Sequence, residues 1–114
     1  MTAKTVFQRI IDREIPADIV YEDADCLAFR DINPQAPIHI LLIPKKAIPD
    51  FESIREEDEG VLGKLLLAVH RIAEAQGLGK GFRLVLNNGR DAGQEVPHLH
   101  FHILAGRPFG WPPG

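Results

Sequence analysis

Three histidines at alternate positions, His98, His100 and His102, stand in the stretch 97–104, PHLHFHIL, and make up three of the five histidines in a 114-residue chain. A β-strand sends successive side chains to opposite faces, so Leu99, Phe101 and Ile103 are expected on a core and the imidazoles on the other side. Imidazole titrates near neutrality. Such a row can therefore supply a nucleophile, an acid and hydrogen-bond donors without extremes of pH.

Three readings fit a histidine row. A zinc site comes first to mind, but residues i and i+4 on one strand lie about 13 Å apart, whereas zinc ligands sit about 2 Å from the ion. One regular strand cannot bring all three histidines to one metal. Two of them with His39 could, although no cysteine or HExxH pattern supports that reading. Nucleophilic catalysis is the second possibility, and it places His100 at the centre, with a neighbouring imidazole about 7 Å away on either side. The attacking ring then needs its second nitrogen held, by a backbone carbonyl or by His39. The neighbouring imidazoles can steady the oxyanion and protonate the leaving group. The third reading is the polar face of an edge strand. No serine nucleophile elbow, Walker loop or dinucleotide fingerprint competes with the row.

The rest of the chain must position these rings. Thr5, with Gln8 three residues on, caps a short amphipathic helix whose Val6, Phe7, Ile10 and Ile11 fall on one side before Pro16. Residues 19–22 and 26–31 read as a hairpin around the polar turn 23–25, with Phe29 and Asp31 sharing a face. The rigid loop 32–37, INPQAP, leads into 38–43, IHILLI, a strand too apolar to be exposed, in which His39 is the exception. Ser53 with Glu56 resembles a capping box opening a long helix. Along it Val61, Leu62, Leu65, Leu66, Val69, Ile72 and Ala73 keep the helical rhythm, and Gly77 supplies the stop. His70 on that helix is expected at the surface. Residues 82–87 give a fourth strand, and 88–95, NGRDAGQE, form a glycine-bearing loop able to bring backbone N–H groups to an anion. The proline- and glycine-rich tail 106–114 is neither helix nor central strand. It either packs on its own domain or reaches a partner subunit.

Length and composition fit one domain spanning residues 1–114, with 45% hydrophobic and 25% charged residues. The single cysteine, Cys26, cannot form an internal disulfide and suits a cytoplasmic setting. A net charge of −3 argues against long nucleic acid as a partner. No apolar run has the length of a signal peptide or membrane span, so no membrane partner is expected.

The run from His98 to Leu104 matches the histidine-triad pattern, His-φ-His-φ-His-φ-φ with φ apolar, at every position. IIDREIPADIVYED, CLAFRDINPQAPIHILLIPKK, LVLNNGRDAGQ and the terminal GWPPG extend the likeness, and the chain resembles the Hint branch of the histidine triad (HIT) superfamily. That resemblance implies an α+β HIT fold, a five-stranded antiparallel sheet with two helices, the sheets joining across a homodimer. It further implies a purine nucleotide site and hydrolysis of nucleoside 5′-phosphoramidates. Neither a cofactor nor a metal is expected. His100 would attack the α-phosphorus to form a nucleotidyl-histidine, His98 and His102 would flank the phosphate, and His39 would complete the network. Asp31 would bind the ribose hydroxyls. Phe7, Ile10, Phe29 and Ile32 would enclose the base, with Val6 at its edge. Asn87, Gly93, Gln94 and Val96 would lie along the phosphate, and Trp111 would come from the partner's tail.

Two positions depart from well-known members. Glu95 stands where they have a serine able to donate to the departing amine, and an ionised carboxylate only accepts. Ala47 follows the two lysines where some relatives carry another histidine. Histidine at the third triad position favours hydrolysis over nucleotidyl transfer. Dinucleoside polyphosphate cleavage, and a nucleotide-binding regulatory or scaffolding dimer with incidental hydrolysis, are the competing functions.

Overall fold

The computed structural model describes residues 3–114. Five antiparallel strands form one sheet in the order β1-β2-β3-β5-β4, with β1 Ile19–Glu22, β2 Cys26–Arg30, β3 Ile38–Pro44, β4 Arg83–Val85 and β5 Phe101–Ala105. Two α-helices, α1 Val6–Ile11 and α2 Glu59–Ala75, lie against it. The expected HIT architecture of five strands and two helices is present.

Alternation along β2 and β3 divides the core in two. Ala28, Ile40, Leu42 and Ile103 face α2, where Leu65, Ala68, Val69 and Ile72 are buried against them. Leu27, Phe29, Leu41 and Ile43 face the opposite way and pack with Phe7 and Ile10 of α1. The short helix is held by this packing and by its cap, in which Thr5 Oγ1 accepts from the Gln8 N–H at 3.0 Å. It ends at Ile11, before Pro16, because the chain turns through Arg13 at φ 62°.

Several boundaries differ from expectation. Ser53 does not open α2. Asp50 caps a 3-10 turn at Phe51–Ser53, and Asp58, buried and bonded to Lys46 at 2.5 Å and to the Arg55 N–H at 2.9 Å, closes a second turn before the helix starts at Glu59. Leu66 keeps the helical rhythm but points outward, 57% exposed, as is Leu67 at 54%; Ala68 takes the core position. His70 is at the surface beside Glu74. The fourth strand shrinks from 82–87 to Arg83–Val85.

The histidine stretch changes most. Only Phe101–Ala105 pairs in the sheet, whereas 97–100 leaves the ladder. The register aligns Leu42 with Phe101, so continued pairing would bring Pro44 and Pro97 to the ladder, and neither has an N–H to give. Instead the Leu99 N–H donates to the Ile48 carbonyl at 2.6 Å. Leu99 and Ile103 are buried on the α2 side as expected. α1 shields two of the three imidazoles, His98 at 2% and His100 at 6% exposed, while His102 is half-buried.

Candidate active site

A cavity of about 890 Å³ opens between α1, the loop after β2, the 88–96 loop and the histidine side of the sheet. His39, His100 and His102 line it, with Asp31, Val6, Phe7, Ile10, Phe29, Ile32, Asn87, Gly93, Glu95 and Val96. Three candidates lie elsewhere. His98 is buried beneath the floor, Gln94 is turned into its own loop, and Trp111 is 86% exposed outside the cavity of its own chain.

Each imidazole has a defined role. The Nδ1 of His100 lies 2.8 Å from the His98 carbonyl oxygen, and a carbonyl only accepts, so His100 carries its proton on Nδ1. Its Nε2 is left with a lone pair. His98 Nε2 donates in turn to the Pro44 carbonyl at 2.8 Å. Across the strands, β3 and β5 align Leu41 with His102, so His39 is the diagonal neighbour of His102 on the same face, and their Nε2 and Nδ1 atoms are 2.9 Å apart. The Gln35 N–H donates to His39 Nδ1 at 3.0 Å, which puts the His39 proton on Nε2 and makes that nitrogen the donor to His102. His102 Nδ1 is the acceptor, and its own proton sits on Nε2. A backbone carbonyl thus holds the central ring, while His39 holds its neighbour.

Burial holds His98 and His39 below the ordinary imidazole range, although the Asp31 carboxylate 3.5 Å from His39 Nε2 acts in the opposite sense. His102 is pushed down to about 4, first by burial and then by the nearby rings of His100 and His39. These three rings are neutral at pH 7. Phe7 lies edge-on to His100, with centroids 5.0 Å apart, and to Phe29 at 5.6 Å, so it shields the histidine rings as well as walling the cavity.

Asp31, His39 and His102 present ligand-type atoms within 4.8 Å of one another, a spacing a metal ion could span. The hydrogen bonding opposes it. A metal-bound histidine normally donates from its outer nitrogen to an acceptor, whereas His39 meets a donor there, the Gln35 N–H, and points its proton inward.

The rest of the lining is unevenly charged. Asp18, Asp31 and Glu95 bring carboxylates, and the guanidinium of Arg30 sits beside Asp18 at 3.4 Å. Asp31 Oδ1 accepts from the Asn33 N–H at 2.8 Å, so this residue shapes the turn and also offers its second oxygen to the cavity. In the 88–96 loop, Gly93 adopts φ 81° and its N–H is spent on Arg90, while the Gln94 N–H is spent on Gly89. The Gln94 amide spans the same loop, accepting from the Gly89 N–H and donating to the Pro49 and Val96 carbonyls. Gln94 thus braces the loop through its side chain.

Sequence reasoning passed over Ile15, Pro16, Ala17 and Asp18, the connection that closes one end of the cavity, and Leu41 on its floor. Leu41 was findable, being two residues beyond His39 on the same strand face. Gln35 acts through its backbone amide, which leaves no side-chain signature.

The model of the HIT domain family matches residues 12–109. An uncharacterized HIT-like protein of Synechocystis is 59% identical over the whole of both chains. The purine nucleoside phosphoramidase of Escherichia coli is 50% identical over 111 residues, 96% of this chain and 93% of that one. Among solved structures, a HIT family hydrolase from Legionella pneumophila superposes with a TM-score of 0.94 at 46% identity, covering 97% of this chain and 100% of its own.

Proposed function

The chain belongs to the HIT domain family, and on that premise we propose that it hydrolyses purine nucleoside phosphoramidates, releasing a nucleoside 5′-monophosphate, AMP or GMP, through a nucleotidyl-histidine on His100. The observation that carries this reading is the bond from His100 Nδ1 to the His98 carbonyl, which leaves an unprotonated Nε2 on a ring lining the cavity. The cavity volume suits a nucleotide. The 50% identity to a phosphoramidase supports the bond type.

In the first step His100 Nε2 attacks the α-phosphorus, the P–N bond breaks and the amine leaves with a proton taken up from solvent in the open cavity. Water then attacks the same phosphorus, the His100–phosphorus bond breaks, the proton shed by the water returns to solvent and the monophosphate departs. His102, neutral and carrying its proton on Nε2, donates to a phosphate oxygen while its Nδ1 accepts from His39. His98 supports from beneath the floor, and His39 fixes His102. Asp31 takes the ribose hydroxyls, while Phe29, Ile10, Val6 and the fully exposed Ile32 bound the base. Asn87, Gly93, Glu95 and Val96 border the phosphate and the leaving group.

The active form proposed is a homodimer. β4 is an edge strand, and Leu66, Leu67 and Phe82 are exposed large apolar groups. Pairing would also find a place for Trp111 at the partner's cavity. The function is tested by incubating wild type and His100→Ala with adenosine 5′-phosphoramidate and measuring AMP. Release by wild type alone is expected. Equal release by both proteins, or none by wild type, would refute the assignment.

A further inference from the structure

After β5 the chain runs through Gly106 and Arg107, and both residues grip the loop between β2 and β3. Gly106 has φ 95°, and a Cβ there would stand 2.8 Å from Pro37 Cβ, so the two segments meet where only glycine fits. Next to it, Arg107 Nη2 donates to the Gln35 carbonyl at 3.2 Å. The guanidinium is itself braced, 4.2 Å from the centroid of the Phe109 ring and bonded through Nη1 to the Pro108 carbonyl at 3.1 Å. Gln35 therefore joins two systems. Its carbonyl holds the tail, and its N–H holds His39 Nδ1.

That N–H decides what His39 can do. Protonating His39 requires a hydrogen on Nδ1, where the Gln35 N–H already points, and two donors cannot share one bond. His39 charges only if residue 35 moves. The groups facing His39 are Asp31 from the end of β2, which favours charge, His102 from β5, whose neutral Nδ1 accepts from His39 Nε2, and the Gln35 N–H from the loop, which together with burial opposes charge.

We propose that Arg107 and Gly106 are positioning residues, which clamp residues 35–37 so that the Gln35 N–H stays on His39 Nδ1 and His39 remains a neutral donor to His102 while phosphate binds. The catalytic consequence rests on the proposed phosphoramidate hydrolysis; the clamp on His39 does not. The C-terminal segment is thereby coupled to the reacting phosphate through the two peptide groups that flank the Gln35 Cα.

The full chain carrying Arg107→Ala or Arg107→Lys tests this, with the histidine ring signals followed by NMR against pH. In Arg107→Ala the His39 midpoint should rise by about one pH unit, and Arg107→Lys, which can still reach the carbonyl, should restore most of the difference. kcat for adenosine 5′-phosphoramidate should fall about tenfold in the alanine variant with KM within about twofold, and the acid limb of the kcat profile should move with His39. An unchanged His39 titration in folded Arg107→Ala, or equal titrations in the two variants, would overturn the clamp. Wild type that shows the titration but no hydrolysis would leave the clamp standing and remove the function.

Discussion

His100 is tied through Nδ1 to the carbonyl of His98, and the His98 ring is fastened in turn to the Pro44 carbonyl, each at 2.8 Å. The first triad histidine therefore acts on the second through the backbone. Its ring pins the peptide that carries the acceptor. Replacing His98 with alanine removes a buried ring packed edge-on to Phe7 and leaves the Pro44 carbonyl unpaired. Urea unfolding of His98→Ala should show a loss of about 2–4 kcal/mol. Its kcat should fall less than that of His100→Ala, and a stability equal to wild type would contradict the anchoring role.

The buried imidazoles make stability pH-dependent. His102 has an ordinary value of 6.5 and is pushed down to about 4, with His39 and His98 lowered in the same direction. The unfolded chain thus binds protons that the folded chain refuses. Stability is full above about pH 6.5 and declines as pH falls toward 4, with a slope of about 1.4 kcal/mol per pH unit for each such ring. Denaturant titrations of wild type and His102→Gln between pH 7 and 4 should give a shallower decline for the variant. Parallel curves would contradict the assignment.

Glu95 borders the cavity, and no hydrogen bond or ion pair holds its side chain among the described residues. Glu95 is proposed to border the departing amine, and a carboxylate there should favour leaving groups that carry an ammonium. Glu95→Gln should therefore lower kcat/KM for an AMP phosphoramidate of a diamine about 3- to 10-fold relative to that of a neutral alkylamine. An unchanged ratio would show that Glu95 takes no part in selecting the amine.

Trp111, exposed on its own chain, is assigned to the partner's cavity. Light scattering should give the mass of two chains. Trp111→Ala should remain dimeric while its KM for the phosphoramidate rises several-fold. A monomeric wild type, or an unchanged KM in a dimeric variant, would contradict this placement.

The strands, both helices and the cavity-lining histidines were legible because period-two alternation and the helical rhythm carry them directly. Asp31, Phe7 and Phe29 gained their site roles from the family resemblance, since each also suits a turn or a core. Other features were hidden for physical reasons. His98 alternates in step with the other two, yet the prolines at 44 and 97 end the ladder and drop its ring below the cavity floor. Gln94 looks like a ligand but is consumed by loop carbonyls, and the Gln35 contribution lies in its backbone. Ser53 lost its capping role to Asp50 and Asp58, whose carboxylates reach the nearby N–H groups.

The central claim, a covalent bond from His100 to phosphorus, is most directly tested by mass spectrometry of protein quenched during turnover of adenosine 5′-phosphoramidate. Digestion with trypsin at neutral pH cuts after Arg90 but not at the Arg107–Pro108 bond, so all three triad histidines lie on one peptide, residues 91–114, and fragmentation can locate the label. One adenylyl group on His100, absent from His100→Ala, is the expected result. Adenylation of His98 or His102 in active protein, or turnover with no labelled peptide under conditions that preserve phosphohistidine, would contradict the account.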